Sequence, residues 1–159
     1  MYHFFVEPHQ IGAEEIRIEG ADVNHIRNVL RMKPGEEILI SSREGGDYFC
    51  RVEELEPEYV SAKILEEWEN KELPARIHLF QGLPKGDKME LIIQKAVELG
   101  AYRVVPVSMK RSVVKLDAKK ADAKRKRWNA VSESAAKQSK RSLIPAVAPL
   151  INSKAAVKE

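Results

Sequence analysis

The apolar residues of this chain change their period once, and that change limits the possible fold more than any other feature. Up to residue 68 they fall in short runs, YHFFV, EEIRI, EEILISS, DYFCRVEEL and EYVSAKILEEW, rich in β-branched and aromatic side chains and separated by Pro-Gly, Gly-Gly and Glu-Pro-Glu. Such runs between turn dipeptides predict short strands, and five of them predict a small barrel. After Pro74 the spacing is different. RIHLFQGL and YRVVPVSM read as strands, and between them DKMELIIQKAVELG puts Met89, Ile92, Ile93, Ala96 and Leu99 on one side of a helix. That is a βαβ unit with a parallel strand pair. The charged stretch EEWENKELPAR separates the two patterns, so the chain divides near residues 69–74 into segments 1–72 and 73–159, α+β overall.

Each segment carries its own punctuation. In ADVNHIRNVLRMKPG, Val23, Ile26 and Leu30 recur at helical spacing, with Asp22 as a candidate N-cap and Pro34-Gly35 beyond the end. Asp87 followed by Glu90 resembles a capping box, and Gly100 is placed to end that helix in the left-handed conformation. A long helix is expected from Asp117 to Ser139, with Trp128, Val131 and Ala135 on one stripe. The next positions along that stripe are Gln138 and Ser139. Asn152-Ser153 reads as the cap of a further helix.

Composition narrows the class. With 43% apolar residues in 159, the chain can build real cores, and its apolar runs are too short to span a bilayer. MYHFFVEPHQ has no signal-peptide pattern, so a cytoplasmic location is expected. The single cysteine, Cys50, alternates with Tyr48 and Val52 and reads as a small buried apolar residue. No Cys/His metal spacing occurs.

The formal net charge of +3 conceals an asymmetry. Residues 1–74 hold 8 Lys/Arg against 17 Asp/Glu, whereas residues 110–141 hold 12 against 3. A basic run of that density suits a polyanion, and equally suits a solvated helix face; Lys124, Arg125 and Lys126 are its centre. Within the acidic segment, Asn24, Arg27, Asn28 and Arg31 share the polar face of the first helix, followed by Lys33. They are candidates for phosphate contacts, or for pairing with the segment's own carboxylates. His25 reads as a partly buried structural histidine. The loop Gly82-Leu83-Pro84-Lys85-Gly86 matches no nucleotide-cradle motif and is a plain βα connection, in which Lys85 and Lys88 can reach backbone phosphate.

Four ordered motifs, NHIRNVLRMKPG, KGDKMELIIQKAVELG, VVPVSMKRSVVK and RWNAVSESAAKQSKRSLIP, span nearly the whole chain and resemble the RsmE family. That family methylates N3 of a uridine in the small-subunit (16S) ribosomal RNA. The resemblance implies a PUA-like RNA-binding β-barrel over 1–72, then the first part of an α/β SPOUT methyltransferase domain. It further implies a homodimer, S-adenosylmethionine as methyl donor, and the small ribosomal subunit as partner.

Two departures accompany the resemblance. The Gly-Pro-Glu-Gly-Gly loop and the Leu-Arg-Thr-Glu-Thr-like segment that signal the family's donor-binding trefoil knot do not occur, so no cofactor-binding residue is expected among these 159 and they are expected to be inactive by themselves. Where the family reads Glu-Arg-Ser, this chain has Lys110-Arg111-Ser112. Uridine N3 must lose a proton, and the charge that develops on the base favours nearby cationic donors. Arg111 and Arg141 are candidates for that field, with Gln138 as an amide able to meet a base edge or, alternatively, a helix end. Lys95 and Glu98 are weaker candidates. A non-catalytic RNA-binding or ribosome-assembly protein is the alternative function.

Overall fold

The computed structural model describes residues 1–69, 72–110 and 116–158. They form two compact units, Met1–Lys71 and Glu72–Glu159.

All five short apolar runs of the first unit are strands: β1 (Tyr2–Val6), β2 (Glu15–Glu19), β3 (Glu37–Ser42), β4 (Asp47–Leu55) and β5 (Tyr59–Trp68). They form one sheet in the order β1-β3-β4-β5-β2, with β1 parallel to β3 and the other pairs antiparallel. The expected barrel is a five-stranded sheet whose β4–β5 ladder slips register at Phe49/Cys50 and at Val52/Glu54, and such bulges curl a sheet. Alternation does the rest. In β2, Ile16 and Ile18 are buried while Glu15, Arg17 and Glu19 face solvent, and Ile38, Ile40, Cys50, Val52, Val60 and Ala62 fill the same core. Cys50 lies inside it, and burial pushes its thiol up to about 12, which leaves it inert at ordinary pH.

The helix between β2 and β3 departs from the plain α-helix its spacing predicts. It begins as α1 (Ala21–Asn24), capped by Gly20 at φ 75 rather than by Asp22, and widens into a π turn over His25–Val29. The Leu30 amide bonds the His25 carbonyl at 2.9 Å and the Met32 amide bonds the Ile26 carbonyl at 3.1 Å. Those bonds close the turn with Arg31 left-handed at φ 53. Val23, Ile26 and Met32 are buried by it. His25 is exposed, with its ring edge 6.4 Å from Phe4, which corrects the partly buried reading.

The second unit contains β6 (His78–Gly82), α2 (Lys88–Glu98), β7 (Arg103–Ser108), α3 (Ala118–Ser139), β8 (Ala146–Val147), β9 (Ile151–Asn152) and α4 (Ser153–Ala156). Strand β7 is central: β6 lies parallel on one side, while β8 pairs with its start and β9 with its end on the other. Val104, Val105 and Val107 form its core. α2 buries Met89, Ile93 and Val97, a stripe rotated from the expected one, and Leu99 is 80% exposed. The Asp87 capping box does not form; Glu90 instead pairs with Arg127 of α3 at 2.6 Å. Gly100 ends the segment at φ 94, and a Cβ there would stand 2.6 Å from Leu73 Cδ1.

α3 begins where Asp117 accepts a hydrogen bond from the Lys120 amide at 2.8 Å. Its buried face is Trp128, Ser132, Ala135 and Ala136, so the polar Ser132 takes the place expected for Val131 and interrupts the apolar stripe. The sequence of β8 explains why. Ser132 donates to the Pro145 carbonyl at 2.6 Å, and the Asn129 amide bonds both the N–H and the C=O of Val147. These side chains satisfy backbone groups beside a two-residue strand that has few sheet partners of its own.

Candidate nucleic-acid interface and strand-end cleft

In the first unit the predicted RNA-binding cations sit on the π turn and its exit. Arg31 and Lys33 are exposed and Arg27 is half-buried. None of the three has an ion-pair or hydrogen-bond partner among the described residues, although carboxylates outnumber cations two to one in this segment. The alternative of internal pairing is therefore unfilled here. π turns concentrate at functional sites. Arg31 adds a second sign, since the left-handed conformation costs a non-glycine residue roughly 1–2 kcal/mol that glycine would avoid. By contrast, Arg17 is tied to Glu19 at 3.1 Å and lies over the Tyr59 ring, 3.9 Å from its centroid.

The basic run on α3 is arranged differently. Arg125 and Lys126 both reach Asp122, at 3.5 and 3.4 Å, while Lys120 pairs with Asp117, Arg127 with Glu90 and Lys137 with Glu133. Of the expected trio, only Lys124 has no partner among the described residues. Lys95 and Glu98 pair with each other at 2.7 Å on the surface of α2, and the Lys95 hydrogen bond holds the Glu98 carboxyl below its usual range. That is surface charge.

The C-terminal ends of parallel strands are where open α/β sheets take ligands. Here that edge is cationic. Lys85 and Lys88 follow β6 and are exposed without partners among the described residues, and a cleft opens beyond β7 and β9, lined by Ser108, Met109, Lys110, Leu116, Asn152, Ser153 and Lys154. Gly82, the last residue of β6, backs onto it: a Cβ at Gly82 would lie 3.3 Å from Met109 Cγ. Sequence reasoning missed the cleft. The position of Lys110 just past a predicted parallel strand was a usable signal, but nothing in the sequence announces that β9 pairs with Val107 and Ser108 and so brings Lys154 beside it.

Of the expected catalytic trio, Gln138 and Arg141 lie among the described residues. Arg111 lies outside the described residues. Arg141 is buried, and its guanidinium is spent: Nε and Nη2 grip both oxygens of Glu72, while Nη1 donates to the carbonyls of Val97 at 3.1 Å and Ala101 at 2.6 Å. It thus satisfies the end of α2 and holds Glu72, a structural task for an arginine read from sequence as a catalytic donor. Ala101 precedes β7 and Lys110 follows it, so six residues of extended chain, roughly 20 Å, separate Arg141 from the cleft. Gln138, one turn before Arg141, is exposed and has no partner among the described residues. Ser139 bonds back to the Ala135 carbonyl at 2.7 Å. No group of three or more His, Cys, Asp or Glu among the described residues could hold a metal, and no described helix is long and apolar enough to cross a membrane.

Comparison with known proteins adds the family. Residues 71–159 match the model of an RNA methyltransferase domain, and residues 18–65 that of an RNA methyltransferase PUA domain. The ribosomal RNA small subunit methyltransferase E of Bacillus subtilis (strain 168) is 43% identical over 152 residues, which is 92% of this chain and 59% of the relative. That of Mycobacterium tuberculosis (strain CDC 1551 / Oshkosh) is 32% identical over 130 residues, 82% of this chain and 50% of the relative. The chain thus spans between half and three fifths of these two relatives. Among solved structures, a ribosomal RNA small subunit methyltransferase E from Neisseria gonorrhoeae bound to S-adenosyl methionine superposes with a TM-score of 0.85 at 33% identity, covering 100% of this chain and 66% of that one. Both domain matches, these identities and the shared fold lead to one conclusion: the chain belongs to the RsmE family of RNA methyltransferases.

Proposed function

We propose that this chain is part of an enzyme that transfers a methyl group from S-adenosylmethionine to N3 of a uridine, the family target U1498, in 16S ribosomal RNA of the small subunit. The observation that carries the proposal is the match of residues 71–159 to the RNA methyltransferase domain model, joined to residues 18–65, which match its PUA domain. On this reading the first unit is the PUA-like RNA-binding element and the second belongs to a SPOUT domain that works as a homodimer in the cytoplasm. Arg27, Arg31 and Lys33 contact phosphate from the first unit, and Lys85 and Lys88 contact it from the second.

The donor supplies an electrophilic methyl group. Its sulfonium is a cation, and the strand-end cleft offers ammonium groups and hydroxyls with no carboxylate among the described residues of its lining, so the residues there do not fit it. We therefore place the donor site elsewhere in the enzyme. The part assigned to this chain is to bind and orient the RNA and, through Arg111 beside Lys110, to favour the deprotonated N3. Gln138 and Arg141 are reassigned: Arg141 to holding the domain together, Gln138 to the exposed end of α3.

Two measurements test the proposal. Mass mapping of ribosomal RNA from cells lacking the gene should find the target fragment one methyl group lighter; an unchanged mass there overturns the reading. Calorimetric titration of residues 1–159 with S-adenosylmethionine should register no binding. Micromolar affinity would instead place the donor site within these residues.

A further inference from the structure

Among its described residues, the cleft beyond β7 and β9 presents hydrogen-bond donors and cations without an anionic competitor. Lys110 and Lys154 have no partner among the described residues, and neither do the hydroxyls of Ser108 and Ser153. Asn152 uses Oδ1 to accept from the Ala155 amide at 2.9 Å, which leaves its NH2 group available. Beside these donors lie the side chains of Met109 and Leu116, the former 50% exposed. Cationic donors next to a small apolar wall match a group that is anionic at one end and a flat ring at the other. The wall is held from behind, because Gly82 leaves Met109 room that a Cβ would tighten to 3.3 Å.

We infer that this cleft seats one nucleotide of an RNA strand, with its phosphodiester between Lys110 and Lys154 and its base against Met109 and Leu116. The inference rests on the reading of the chain as part of an RNA-modifying enzyme, and deepens it by naming where the second unit grips its substrate. Lysine is a compact point charge suited to phosphate, and the hydroxyls and amide supply directional bonds to the non-bridging oxygens. The gap between strand ends, rather than the basic face of α3, is then the phosphate site of this unit, since most of the cations on α3 already have carboxylate partners.

The test uses residues 1–159 and a dodecameric oligouridylate, with filter binding over a range of KCl concentrations. For the wild type, log affinity should fall linearly with log salt. The Lys110→Ala/Lys154→Ala variant should lower that slope by about 1.4, two contacts at ~0.7 each for a single strand, and the double Lys→Arg variant should restore it. In amide NMR spectra, uridine 5′-monophosphate should shift Ser108, Lys110, Asn152 and Ser153 more than inorganic phosphate does. RNA binding by the wild type with the slope unchanged in the Ala variant overturns the cleft and leaves the functional reading intact. Equal shifts from inorganic phosphate and the nucleotide overturn the nucleotide assignment. No RNA binding by the wild type at all overturns both.

Discussion

The two units of the molecule use positive charge in opposite ways. Residues 1–71 are acidic, with 16 carboxylates to 8 cations, yet Arg27 on the π turn and Arg31 and Lys33 at its exit make no ion pair among the described residues. Residues 72–159 are basic, with 19 cations to 8 carboxylates, yet most of the cations on α3 are bridged to Asp117, Asp122, Glu133 or Glu90. Charge density and available charge are separate properties. An exposed pair is worth at most about 1 kcal/mol, so a phosphate can displace it, but the displaced carboxylate then repels the strand that displaced it. The poorer unit is thus the better prepared for a polyanion on its π turn, and the richer unit is prepared mainly at its strand ends.

The largest effect that bears on this contrast concerns the cation that is fully committed. Arg141→Ala leaves Glu72 and two helix-end carbonyls buried without their donor, and should destabilise the second unit by about 3–5 kcal/mol in urea unfolding followed by circular dichroism. A loss below about 1 kcal/mol would return Arg141 to the list of free, substrate-facing donors. Next comes affinity. Arg27→Ala, Arg31→Ala and Lys33→Ala together should lower the salt slope of RNA binding by about 2 units, while Lys124→Ala, Arg125→Ala and Lys126→Ala together should lower it by about 1, because Asp122 already holds two of those three. The reverse order would break the contrast between units.

A smaller change sharpens it. Arg31→Gly removes a guanidinium and relieves a left-handed backbone, so it should weaken RNA binding while leaving the first unit up to about 1 kcal/mol more stable. Loss of stability together with loss of binding would mean that Arg31 serves the fold. Smallest of all, Gln138→Ala at an exposed position should change stability by no more than about 0.5 kcal/mol, and a larger loss would reveal a contact that α3 needs.

What the sequence could disclose follows from the range of the interactions involved. All five strands of the first unit and the β6-α2-β7 succession were legible, because two-residue and helical periods are local properties of the chain. The π turn was not: Val23, Ile26 and Leu30 carry the same spacing whether Leu30 bonds one carbonyl or the next, and the choice is made by packing of Ile26 and Met32 in the core. The stripe on α3 was misplaced for a related reason. Ser132 and Asn129 are polar in sequence but buried or half-buried in the structure, because β8 supplies partners 13 and 18 residues away. Likewise nothing local joins Arg141 to Glu72, 69 positions earlier, so a conspicuous arginine at the end of a motif was read as chemistry when it is architecture. The strand-end cleft required two non-adjacent strands to pair with β7, which no spacing rule provides.

The chain has two tryptophans, and the fold gives one to each unit. Trp128 is 3% exposed, whereas Trp68 lies half-buried and stacked on Phe49, with ring centroids 5.4 Å apart and planes 9° from parallel. An indole sealed among apolar groups emits at shorter wavelength than one open to water, so Trp128 should dominate the blue side of the emission band and Trp68 the red. Intrinsic fluorescence can then report the melting of either unit in an unlabelled protein, with the Trp68→Phe variant leaving the signal of the second unit alone.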